Sequence, residues 1–167
     1  MTEKQNIRND ILLLLERNAK LTAREIAVYL GMPEQEVSDE IARLEKEQII
    51  CGYGAFINWK RAGAEQLTAL IEVKVTPSRG KGLNRVAERI YRFSEVKAVY
   101  LMSGAYDLAV IIEGKSLNEI AGFVTDKLST LESVLSTATH FVLKKYKDHG
   151  IVFDECGDED GRIMITP

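Results

Sequence analysis

Two sets of residues in this sequence have types and spacings that could do chemistry. The first is Gln35, Ser38, Asp39, Arg43 and Lys46, in the run Pro33–Glu47. Their side chains suit the reading of a DNA duplex. Gln pairs with adenine, Arg with guanine, a carboxylate accepts from the cytosine amino group, and Lys reaches phosphate. The second set is the loop Ser103-Gly104-Ala105-Tyr106-Asp107 together with Thr137 and Thr139. Gly104 lets backbone amides approach a carboxylate closely, Asp107 can receive an ammonium group, and the threonines add hydroxyl contacts. That combination suits a free amino acid. Each set also has a plainer structural reading. Asp39 and Glu40 could tie up Arg43 at i+4 and i+3, and Gly104 and Asp107 could serve only a turn.

The elements that must carry these residues follow from periodicity. Val37, Ile41 and Leu44 recur at i, i+4 and i+7, so a helix over 33–47 buries one face and shows the first set on the other. Pro33 fits its first turn, where a missing N–H costs nothing. Ile7, Ile11, Leu14 and Leu15 predict a helix over 6–17. Thr22 with Glu25 forms a capping box, Leu21 and Ile26 a hydrophobic staple, and Gly31 ends the resulting helix. Two short helices and a tight turn before the 33–47 helix are the arrangement of a helix-turn-helix, which places its last helix in the major groove. Residues 49–58 read as strand, glycine turn and strand, either a small wing or the beginning of a linker. The local charge opposes DNA. Glu34, Glu36, Asp39, Glu40, Glu45 and Glu47 face only Arg43 and Lys46, whereas phosphate neutralisation dominates affinity for a duplex. Glu34 and Glu36 have a structural use at the helix N-terminus, through its dipole. Arg24 and the pair Lys60 and Arg61 add candidate phosphate contacts.

The second half has a different rhythm. Strands are predicted over Leu67–Val75, Val96–Met102, Leu108–Ile112 and Val134–Tyr146, with helices at 83–91 and 117–131, the latter opened by a Ser116/Glu119 capping box. The order β-α-β-β-α-β is ferredoxin-like, with two helices on one face of an antiparallel sheet. The bare face is expected to pack on a second copy. The fold class is therefore α+β, divided as 1–60, 61–148 and an acidic tail over 149–167. That tail holds Ile151-Val152-Phe153, an acidic turn at 154–161 and Arg162–Ile165, an add-on hairpin or a swapped segment.

Bulk properties narrow the function. The 167 residues are 46% hydrophobic and 28% charged, with a net charge of −3, enough for one large or two small domains. No apolar run approaches a membrane span, and the first residues lack a signal peptide's apolar region, so a cytoplasmic location is expected. Cys51 and Cys156 have no CxxC spacing and read as reduced thiols. His140 and His149 lack the companions of a metal site, and no nucleophilic triad or phosphate-binding glycine motif occurs. No cofactor, metal or enzymatic activity is expected.

Three segments, in order and at matching separations, carry a family resemblance. Residues 49–58, Ile-Ile-Cys-Gly-Tyr-Gly-Ala-Phe-Ile-Asn, look like the "IIxGYxAxIN" segment of the Lrp/AsnC (feast/famine) transcriptional regulators. Gly104-Ala105-Tyr106-Asp107 looks like their "GDYD" loop, and Thr137-Ala138-Thr139 resembles their "TxT" strand. The span from about Ile7 to Lys147 resembles that family. The resemblance implies an N-terminal winged helix-turn-helix that binds DNA. It implies a C-terminal, ACT-like effector domain that dimerises through its sheet, assembles into an octamer as a tetramer of dimers, and takes a small effector, usually an amino acid. Two features depart from the pattern. In the recognition helix, Asp39 and Glu40 stand where family members often carry basic residues, and Pro33 where they often carry a Ser or Thr N-cap; in the loop, Ala105 replaces the first acid. An alternative is a sensing or protein-interaction module of the same fold with weak or lost DNA binding. The siroheme decarboxylases that share this architecture need histidines and basic residues which two isolated histidines do not supply.

Overall fold

The computed structural model describes residues 3–64, 66–76 and 82–153. The chain divides into two compact units at Phe56/Ile57, a few residues before the boundary expected after Lys60.

The first unit is three helices, α1 (Glu3–Arg17), α2 (Ala23–Leu30) and α3 (Glu34–Lys46). Thr22 Oγ1 accepts from Glu25 N–H, and the Glu25 carboxylate accepts from Thr22 N–H at 2.8 Å, so the capping box forms on both sides. Gly31 ends α2 in the left-handed region (φ 64), where a residue without Cβ is favoured. Ile11, Leu15, Ile26, Ala27, Val37 and Leu44 form the core, one apolar stripe from each helix. The wing is not formed. Residues 51–58 carry no strand, so this segment is the linker of the two readings. Its exposed Tyr53 Oη donates instead to Glu45 of α3 at 2.8 Å.

The second unit holds a four-stranded antiparallel sheet in the order β2-β3-β1-β4. The strands are β1 (Leu67–Val75), β2 (Val96–Leu101), β3 (Leu108–Gly114) and β4 (Val134–Phe141), with helices α4 (Gly82–Ile90) and α5 (Leu117–Gly122). Alternation sends Ala69, Ile71, Val73 and Val75 of β1 and Leu108, Val110 and Ile112 of β3 into one core with Val86, Ile90, Ile120, Phe123 and Leu128. The other face of the two central strands is mixed rather than apolar throughout. Leu70, Ala109 and Ile111 lie beside Glu72, Glu113 and Lys74, and His140 Nε2 stands 3.3 Å from Glu72 Oε1.

Three details differ from the sequence reading. The helix opened by Ser116 widens into a π-helix over Phe123–Leu128, where Thr125 Oγ1 donates to Ala121 O, the carbonyl its own amide would use in an α-helix. Glu119 accepts from Lys115 N–H rather than Ser116 N–H, so only the Ser116 half of that box forms. Strand β4 stops at Phe141 because its partner β1 begins at Leu67, and Val142 N–H makes a last bond to Thr68 O. The chain then makes a small hairpin, β5 (Lys147–Asp148) and β6 (Ile151–Val152), through His149 (φ 46) and Gly150 (φ 81). Ile151 and Val152 thus pair backwards in the chain. The acidic turn at 154–161, Arg162–Ile165 and Cys156 lie outside the described residues.

Candidate functional site

In the first unit α3 presents the candidate reading face. Val37 and Leu44 are buried, while Gln35, Ser38, Asp39, Arg43 and Lys46 are all exposed. Arg24 is exposed on α2. The helix starts at Pro33 without a side-chain cap, so Glu34 and Glu36 supply the negative charge at its N-terminus. The polar side chains are paired among themselves. Gln35 Nε2 donates to Asp39 Oδ1 at 2.9 Å, and Arg43 donates to Glu40 at 2.6 Å. Arg43 Nε also stands 3.9 Å from Glu47, whose other oxygen accepts from Arg8 of α1 at 2.9 Å. Glu40 beside Arg43 holds the guanidinium above its ordinary pKa. The expected tie from Asp39 to Arg43 is replaced by the tie to Gln35. Arg8 was not foreseen, because its partner lies 39 residues away and no local spacing signals it.

A shallow groove of about 320 Å³ runs beside this face, lined by Leu15, Leu21, Ile41, Ala42, Glu45 and Tyr53, with Ser38 at its edge. Ser38 therefore borders a groove of the helical unit as well as the outward face. Lys60 and Arg61 are exposed but belong to the second unit, in a turn where Asn58 Oδ1 accepts from Arg61 N–H. Asn58 also donates to Phe153 O at 2.9 Å, which gives the end of the 49–58 segment a structural task.

In the second unit the sheet brings the loop and the threonines together. Val73 pairs with Leu108 on one side and with Thr137 on the other, and Thr139 sits opposite Ile71. The loop Ser103–Asp107 and the Thr137–Thr139 segment thus flank the same end of β1. Ser103, Gly104 and Ala105 are exposed, and Tyr106, Asp107, Thr137 and Thr139 are half-buried. Asp107 has a structural task beside its expected role. Its N–H bonds Val73 O at 3.0 Å, and its Oδ2 accepts from Val75 N–H at 2.8 Å. One carboxylate oxygen therefore extends the β1/β3 ladder just before β3 begins, a use that the plainer reading of the turn anticipates. Gly104 needs no unusual backbone angle, and the space beside its Cα is open.

A helix-turn-helix unit joined to an antiparallel sheet with two helices on one face defines a class of protein, the two-part transcriptional regulator. The Lrp/AsnC ligand binding domain matches residues 68–152. The HTH-type transcriptional regulator YugG of Bacillus subtilis is 54% identical over 168 residues, covering 100% of this chain and 99% of that protein. The chain belongs to the Lrp/AsnC family. Among solved structures, E. coli AsnC superposes with a TM-score of 0.65 at 21% identity, over 84% of this chain and 92% of the other. The regulator NMB0573 of Neisseria meningitidis, solved as a complex with L-Met, has a TM-score of 0.69 at 23% identity, over 89% and 94%. No helix among the described residues is long and apolar enough to cross a membrane.

Proposed function

We propose that this chain is a sequence-specific DNA-binding regulator whose second unit senses a small metabolite, an amino acid, and that it acts as a homo-oligomer. The observation that carries the reading is the convergence of the Ser103–Asp107 loop and Thr137 on Val73, within the span matched by a ligand-binding domain. The likeness in fold to a regulator solved with L-Met supports the choice of ligand class. Loop amides of Ser103–Tyr106 would take the carboxylate. The Asp107 oxygen that does not bond Val75, with the hydroxyls of Thr137 and Thr139, would take the ammonium group. Phosphate contacts would come from Lys46 and Arg24, and base contacts from α3.

The mechanism is linkage. An amino acid that binds one assembly better than another shifts the population, and DNA affinity shifts with it, on the order of 5- to 150-fold for 1–3 kcal/mol of coupling. Tyr100, Leu101, Leu135 and Leu143 are exposed apolar side chains of the second unit suited to self-association, as a dimer and as an octamer of four dimers. Genome-wide footprinting of the purified protein, with and without pooled amino acids, tests the reading. Protected sites that change with one amino acid are expected. Unchanged footprints remove the sensing half, and no footprint removes the DNA half.

The acidic α3, with Arg43 held by Glu40 and Glu47, favours a second reading as an interaction module without DNA binding. Absence of binding to mixed duplex DNA at low salt would favour it over the first.

A further inference from the structure

Gln35 and Asp39 lie one turn apart on the outward face of α3, both exposed and joined at 2.9 Å. An ionised carboxylate only accepts hydrogen bonds, so the Gln35 amide must turn its nitrogen toward Asp39. That fixes what the pair still offers to a third group: Gln35 Oε1, one remaining N–H, and the free lone pairs of Asp39. Acceptors outnumber donors. In the major groove adenine and cytosine present amino donors at N6 and N4, whereas guanine O6/N7 and thymine O4 only accept. An acceptor-rich tip therefore suits the amino bases and meets the keto bases lone pair to lone pair.

Arg43, the residue type that reads guanine best, is turned to other partners. Its fork is occupied by Glu40 at 2.6 Å and Glu47 at 3.9 Å, and Glu47 is in turn anchored by Arg8 at 2.9 Å. Gln35 and Asp39 also lie in the N-terminal half of α3, the part of a recognition helix that meets base edges.

We propose that the Gln35–Asp39 pair is the base-reading element of α3, selecting adenine or cytosine against guanine and thymine on one strand of the half-site, and that Arg43 takes no part in base reading. The inference rests on the DNA-binding reading above. It also gives the acidic helix a use. A carboxylate near phosphates weakens binding to every sequence, but it weakens binding to the wrong base most, so affinity is exchanged for discrimination.

Selection of duplexes from a random pool by the full chain at low salt tests this, using wild type, Asp39→Ala, Asp39→Asn and Arg43→Ala. Both positions are exposed on one helix, and circular dichroism checks that each variant folds. The wild type is expected to enrich an adenine or cytosine at a fixed half-site position. Asp39→Ala should lose that preference, Asp39→Asn should admit guanine or thymine there, and Arg43→Ala should keep it. If the selected base is cytosine, replacing it with 2-pyrimidinone, which lacks the amino group, should weaken wild-type binding about tenfold and leave Asp39→Ala unchanged. If it is adenine, purine in its place should do the same. Retention of the preference in Asp39→Ala, or a guanine preference erased by Arg43→Ala, overturns the proposal while leaving DNA binding intact. No enrichment and no binding by any form overturns the DNA-binding reading itself, and this inference with it.

Discussion

The outward face of α3 and the loop end of the sheet are both polar, exposed regions, yet their side chains are used differently. On α3, Gln35 bonds Asp39 and Arg43 pairs with Glu40 and Glu47, each across a single helical turn. Such pairs are worth a few tenths of a kcal/mol each, so removing one has little effect on the fold. At the loop, Asp107 bonds the backbone of Val73 and Val75 and finishes a ladder. Removing it touches the fold before it touches any ligand. The polar groups thus divide into exposed ones held by neighbours on the same helix and a half-buried one held by the main chain.

Substitutions can break or sharpen this contrast. The largest effects are expected in the cores beneath the two regions. Leu44→Ala under α3 and Ile71→Ala under the loop strand each remove a fully buried side chain and should cost about 2–5 kcal/mol by denaturant unfolding. Next, Asp107→Asn should destabilise the second unit by about 1 kcal/mol, because the half-buried Val75 N–H then bonds a neutral amide oxygen in place of a carboxylate. Asp39→Asn on α3 should leave the melting temperature almost unmoved, and equal losses at the two aspartates would erase the contrast. Thr22→Ala, which opens the capping box, should cost about 0.5–2 kcal/mol and lower the first unit's protection from hydrogen exchange.

The smallest effect is a pH dependence carried by one carboxylate in each unit. The backbone N–H of Thr22 holds Glu25 below its ordinary pKa, and the Lys127 ammonium does the same for Glu95. Because both folded values are depressed, the stabilisation is present above the unfolded glutamate value, about 4.3, and is lost as the pH falls through the lower folded values. Glu25→Gln and Glu95→Gln should each flatten the acid limb of the stability curve, read by urea unfolding between neutral and acid pH.

The α+β class and the placement of the α3 residues on one outward face were legible because they follow local periods. The Val37/Ile41/Leu44 stripe fixes α3, and alternation in β1 and β3 fixes the sheet. What was not legible depends on partners distant in the chain. The partners of Arg8 with Glu47 and of Asn58 with Phe153 are set by packing. The end of β4 is set by where β1 begins, and Val134–Tyr146 looks equally strand-like throughout. The glycines of residues 49–58 read as a wing turn, but no partner strand closes on them among the described residues. That Asp107 Oδ2 accepts from Val75 N–H was not legible either, because the two residues lie 32 positions apart.

One measurement bears most directly on the claim that the exposed face of α3 meets duplex DNA. Fluorescence anisotropy with a labelled duplex, across a salt series, gives the slope of log K against log salt for the wild type and for Lys46→Ala. Binding is expected to strengthen as salt falls, with a slope shallower by about one phosphate contact in Lys46→Ala. No binding at the lowest salt, or identical slopes for the two proteins, would contradict it.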